Sequence, residues 1–149
     1  MGYSQTMNAY SAYRETGVRT ASQGKLVVML YDESIKQLSF ALSYISENDK
    51  VDAPHIEQFS KHIQKAQEII TELMVALDME AGGDIAKNLM SLYIFFNQEL
   101  LNVSLNHSRK KVLFVQNMMI QLRDAWAEAS ASAGTSPAPV SYAGIDING

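Results

Sequence analysis

Residues 77–93, L-D-M-E-A-G-G-D-I-A-K-N-L-M-S-L-Y, decide the fold. An apolar helical pattern ending at Leu77 meets Gly82 and Gly83, and a new pattern begins behind Asp84. Gly suits the left-handed residue that closes a helix, because it has no Cβ to clash there. An Asp carboxylate accepts hydrogen bonds from the free N–H groups that open one. Asp84 is therefore the expected cap of the second of two long helices, joined by a tight turn and running antiparallel.

Working outward, the glycines and prolines fall outside four long windows. Gly17 and Gly24 precede the first, Pro54 opens the second, Gly82 and Gly83 precede the third, and Gly134 follows the fourth. Each window repeats apolar residues in steps of three and four, the spacing of one helix face. The first stripe is Val28, Tyr31, Ile35, Leu38, Leu42 and Ile45; the second is Ile56, Phe59, Ile63, Ala66, Ile70, Leu73 and Leu77. The third is Ile85, Leu89, Leu92, Phe96, Leu100 and Val103; the fourth is Val112, Val115, Met119, Leu122, Trp126 and Ala129. Thr20 with Gln23 reads as a capping box, with Ser22 as a competing cap, and Asp52 before Pro54 suits a first helical turn. Asn106 or Ser108 can cap the fourth helix.

The short connections predict an all-α, antiparallel, up-down-up-down four-helix bundle over residues 1–131. Within it, residues 1–17 form a cap segment with Met7, Tyr10 and Tyr13 at a spacing of three, enough for a short helix that must dock to be ordered. Residues 132–149 carry Pro137, Pro139, many small residues and one charge, Asp146; they read as a disordered tail whose removal leaves folding and the binding of a partner nearly unchanged.

Composition narrows the function. With 149 residues and 47% hydrophobic content, one domain can bury a real core. A net charge of −4, with Arg109, Lys110 and Lys111 as the one short basic run, argues against nucleic acid. The absence of cysteine excludes a disulfide framework, a thiolate metal site and a Cys nucleophile, and agrees with a reducing cytoplasm. No apolar run approaches the ~20 residues of a membrane span. No His stands three residues after Glu47, Glu57, Glu68, Glu72 or Glu99, so a di-iron bundle fails, and no metal or other cofactor is expected. His55 and His107 read as solvated. His62 and Lys65 form a His-x-x-Lys on a helix, partly similar to histidine phosphotransfer domains, but Gln64 and Ala66 stand where that family has Leu and Gly. That signalling bundle is the alternative reading; nothing else looks enzymatic.

The chain has more apolar surface than one core needs. Residues 26–31, L-V-V-M-L-Y, are apolar all round the helix; Met90, Tyr93, Ile94, Phe95 and Leu101 lie off the third stripe, and Leu113, Phe114, Met118 and Ile120 off the fourth. Together with eight methionines, the surplus predicts a pliable hydrophobic groove for a partner helix.

Several blocks resemble the FliS family of flagellar export chaperones: D-M-E-x-G-G-x-I-A-K-N-L at residues 78–89, N-A-Y at 8–10 with T-A-S-Q-G-K-L-V-V-M-L-Y-D at 20–32, K-A-Q-E-I-I-T-E-L at 65–73, and L-R-D-A-W at 122–126. Gln23 and Gly24 replace the family's usual Pro-Glu. The resemblance covers about residues 7–130 and implies a cytoplasmic chaperone, not an enzyme. Such a chaperone binds the disordered C-terminal segment of flagellin, prevents premature polymerisation and delivers the subunit to the type III export gate and its other flagellar partners. Carried over by motif, the expected flagellin contacts are Met7 and Tyr10, then Lys25, Leu26, Met29 and Leu30. Asp78, Ala86, Lys87, Leu89 and Met90 complete the set.

Overall fold

The computed structural model describes residues 21–133. Four helices follow one another: α1 Ala21–Leu42, α2 Ile56–Ala76 (entered through a 3-10 turn, Ala53–His55), α3 Gly83–Asn106 and α4 Arg109–Ala133. Among the described residues there is no strand, and the run around Tyr93 and Phe96 is helical as its flanks require. α1 packs on α2 and α4, and α3 packs on the same pair, so α1 and α3 are diagonal partners in the expected up-down-up-down bundle. One consequence matters for function: α1 begins, α2 turns into α3, and α4 ends at the same end of the molecule.

The stripes of α2 and α4 are buried nearly as read, with Phe59, Ile63, Ala66, Ile70 and Leu73 on one and Val112, Val115, Met119, Trp126 and Ala129 on the other. α1 departs from its stripe. Leu26, Val27, Leu30 and Ala41 are buried beside Tyr31, Leu38 and Ile45, while Val28, Ile35 and Leu42 are only half-buried. A helix wedged between two close neighbours buries a wide face rather than a seam.

Tyr93, off the third stripe by spacing, is a core residue. Its hydroxyl hydrogen-bonds that of Tyr31 across the bundle diagonal, so each satisfies a polar group that burial would otherwise penalise. Burial, then the adjacent Tyr93, pushes the Tyr31 pKa well up.

The turns show where side-chain chemistry decides. Asp84 does not cap α3; the cap residue is Gly82, and no side chain bonds there. Asp78 organises the turn instead, its Oδ1 accepting from the N–H of Glu80 at 3.1 Å and of Ala81 at 2.9 Å. The left-handed residue is Gly83, with φ +54°, at the start of α3 rather than the end of α2. Ser108 caps α4, its Oγ accepting from Lys111 N–H at 3.3 Å, while Asn106 receives the Ser108 N–H. Ser22 lies inside α1, and Thr20 lies outside the described residues. His55 is exposed and stacks on Tyr44 at 5.4 Å, but His107 is half-buried with its ring edge against Phe59.

Arg109 ties the far end together. Its Nη1 donates to the carbonyls of Leu42 at 3.1 Å and Ile45 at 3.0 Å, and its N–H donates to Asp49 Oδ1 at 3.0 Å. Leu42 is the last residue of α1, and its carbonyl also accepts from the Ile45 N–H at 3.1 Å; Ile45 lies in the turn that follows. The Arg109→Ala variant is expected to lower stability by about 2 kcal/mol, the worth of charged hydrogen bonds to part-buried groups. A thermal melt unchanged within a degree would show that these bonds contribute nothing.

Candidate functional site

A groove of about 410 Å³ opens between the start of α1 and the end of α4, lined by Lys25, Val28, Met29, Ala127, Ser130 and Ala131. Its origin is local. Residues 125–133, A-W-A-E-A-S-A-S-A, give α4 a face with almost no side-chain bulk, since Trp126 turns into the core. Gly24, read as a residue before the helix, lies inside α1 for a matching reason: a Cβ there would collide with the Ser130 hydroxyl. The two backbones therefore approach at the groove floor, and Met29, 63% exposed, forms the outer wall. Among the described residues, the only charged side chain in the lining is Lys25. Below the groove the seam is closed by the ion pair of Arg123 Nε with Asp32 at 2.7 Å.

Of the rest of the expected apolar surplus, Ile94, Phe95, Leu101, Leu113, Phe114 and Ile120 are on the surface, whereas Tyr93 is core and Met90 and Met118 are half-buried. Phe95 and Phe114 meet edge to face at 6.1 Å over the α3–α4 seam, both well exposed. Ile94, Leu101 and Leu105 form a stripe along α3, with Leu105 79% exposed. Exposed apolar patches of this extent mark interaction surfaces more often than they persist unused.

The expected contact residues divide sharply. Lys25 and Met29 stand together in the groove. Leu26, Leu30, Ala86 and Leu89 are buried in or against the core. Lys87 is exposed, Met90 half-buried, and Asp78 exposed in the turn it organises. The bundle topology brings the α1 group and the α3 group to one end of the molecule, across the diagonal. Met7 and Tyr10 lie outside the described residues. Sequence reasoning missed Val28 as groove lining, and it missed Ala127, Ser130 and Ala131 altogether. The run of small residues was the available signal, but spacing does not say which helix it faces.

His62 is neither an exposed phosphate carrier nor a plain solvated residue. Its ring is half-buried against Phe40 at 4.9 Å and Tyr44 at 6.1 Å, and its Nδ1 donates to Gln37 Oε1 at 2.7 Å. Gln37 Nε2 in turn donates to Glu33 at 2.8 Å. Burial, then the nearby Lys65 charge, lowers the His62 pKa from 6.5. The folded state thus favours the neutral ring more than the unfolded chain does. Its contribution to stability is full above about pH 6.5 and is lost as pH falls through the lower folded value. Melting temperature should drop between pH 7.5 and 5.5, and less so in His62→Gln; equal drops in both proteins would remove His62 as the cause.

Among the described residues, no helix is long and apolar enough to cross a membrane. A family model described as flagellar protein FliS matches residues 6–133. The chain is 31% identical over 127 residues to the flagellar secretion chaperone FliS of Escherichia coli, covering 85% of this chain and 89% of that one. It is 30% identical over 120 residues to the Salmonella typhimurium protein of the same name, covering 80% and 84%. With the Bacillus subtilis chaperone the identity is 27% over 125 residues, covering 84% and 88%.

Proposed function

The chain belongs to the FliS family, and on that premise we propose that it binds the C-terminal segment of flagellin in the bacterial cytosol. It thereby keeps flagellin from polymerising early and hands it to the type III export apparatus. The relatives are named as chaperones and not as enzymes, which accords with a role in binding alone. The observation that carries the reading is the apolar groove at Lys25, Val28 and Met29, with further apolar surface at Phe95 and Phe114. A disordered segment that folds on binding loses conformational entropy as it orders. It therefore needs a broad apolar surface to bind at all, and separate patches suit a segment that folds into more than one helix. Lys25 and Met29 line the first contact surface, and Lys87 and Met90 extend it at the same end of the bundle. Met7 and Tyr10 contribute from the N-terminal segment. Titrating the protein with a flagellin C-terminal peptide in a calorimeter should give a one-to-one complex at micromolar concentration or tighter. Silence in that titration, with a folded protein in the cell, would overturn the proposal.

A further inference from the structure

We propose that the outward face of α4 is a self-association surface, on which a second copy of this chain packs with its own α4 antiparallel and Asn117 on the two-fold axis. The proposal stands apart from how flagellin binds.

The face follows from which residues of α4 point away from the bundle. Lys110 and Asp124 are exposed, and between them so are Leu113, Phe114, Asn117, Ile120 and Gln121, all uncharged. Their steps of three and four keep them on one side of a helix. Leu113, Phe114 and Ile120 are 37%, 47% and 37% exposed, and the Phe95 ring of α3 widens the apolar area beside Phe114. Lys110, Asn117 and Asp124 run down the middle at intervals of seven residues, the repeat of a helix that packs along another.

The order of these residues selects the occupant. Lys110 and Asp124 stand seven residues to either side of Asn117, and Phe114 and Ile120 stand three to either side. A two-fold axis at Asn117 reverses the second α4 and sets Lys110 of each copy against Asp124 of the other. A parallel copy would bring Lys110 against Lys110 and Asp124 against Asp124. Asp124 already accepts from Arg123 Nη1 at 3.2 Å, yet its side chain stays 65% exposed, and a carboxylate has lone pairs for a second cation.

The same axis returns each flank of the helix to itself. Leu113 and Ile120 lie on the flank beside α1, where Gln116 donates to the Ile35 carbonyl at 3.1 Å. Leu113 therefore meets Ile120 of the second copy, apolar against apolar. Phe114 and Gln121 lie on the flank beside α3, so the aliphatic stem of Gln121 covers the ring of the second copy's Phe114. Asn117 meets its own counterpart, which fixes the register at some cost in strength. One helix face with a flanking ring is smaller than the ~800 Å² per partner of a standard interface, so the dimer is weak, with a Kd on the order of tens of micromolar. Below that concentration Phe95 and Phe114 stay open to flagellin.

The chain has no cysteine, so a single introduced thiol reports on the axis. Under a mild oxidant, Asn117→Cys should form disulfide dimers at least about tenfold faster than Gln64→Cys, an exposed position on the diagonal helix α2. Sedimentation of the parent chain from about 5 to about 500 μM should show a monomer passing into a dimer. Lys110→Asp alone and Asp124→Lys alone should each weaken that dimer about tenfold, and the two together should restore it. Both positions are exposed, so a thermal melt should find every variant folded like the parent. A parent chain that stays monomeric throughout overturns the proposal, as does Asn117→Cys linking no faster than Gln64→Cys. A double charge variant as weak as the single ones overturns it too, because the antiparallel pairing of Lys110 with Asp124 is then absent.

Discussion

Met29→Lys is expected to weaken flagellin binding by about 2–3 kcal/mol, or roughly 30- to 160-fold, and to leave folding almost unchanged. Met29 is largely exposed in the free protein, so the folded state loses little when it changes. On the proposed binding its side chain is covered in the complex, and the variant loses that burial. A second ammonium then enters a groove where Lys25 is already a cation, and no carboxylate stands in the lining among the described residues. Calorimetry with the flagellin peptide gives the affinity, and a thermal melt checks the fold. Full affinity in a folded Met29→Lys protein would place the binding surface elsewhere.

The largest stability effect is expected at Phe96. It is fully buried, while its neighbour Phe95 is exposed and packs on Phe114 at the surface. Phe96→Ala removes an aromatic ring from the core and leaves a cavity that the four helices cannot fully close, at a cost of about 3–5 kcal/mol. For a domain of this length that corresponds to a fall of about 10–15 °C in melting temperature. Phe95→Ala should cost less than about 1 kcal/mol in stability and instead reduce exposed apolar surface. Adjacent residues of one type thus have opposite expected effects. Equal destabilisation by the two would mean that α3 is rotated from its described orientation.

Much of this was legible because helices punctuate themselves. The Gly82–Gly83 turn, Pro54 and four apolar stripes suffice for a bundle, and α2 and α4 bury the residues their spacing selects. The errors lie where a residue answers to a distant partner. Tyr93 is buried because Tyr31 offers it a hydroxyl from the diagonal helix, and nothing in the spacing of α3 records that. Gly24 reads as a breaker but serves as a contact point for Ser130, over a hundred residues away. Asp84 has the right chemistry for a cap, yet it lies inside α3, whose cap residue is Gly82, while Asp78 holds the N–H groups of Glu80 and Ala81 in the turn before it. The same limit governed the site. Motif matching selected Leu26 and Leu30 together with Lys25 and Met29, because a motif preserves core and contact residues alike. Burial separates them: two hold the helix in place, and two face the groove. The far wall, Ala127 and Ala131, becomes visible only when α4 is laid antiparallel beside α1.

The central claim is that flagellin occupies the α1–α4 groove. Hydrogen exchange of the full chain, alone and saturated with a flagellin C-terminal segment, tests it directly. The account predicts slower exchange at residues 25–29 on binding, with residues 127–131 at least as protected as before and further protection near Met90. Binding that leaves the amides of residues 25–29 and 127–131 unchanged, with all protection confined to other faces of the bundle, would contradict it.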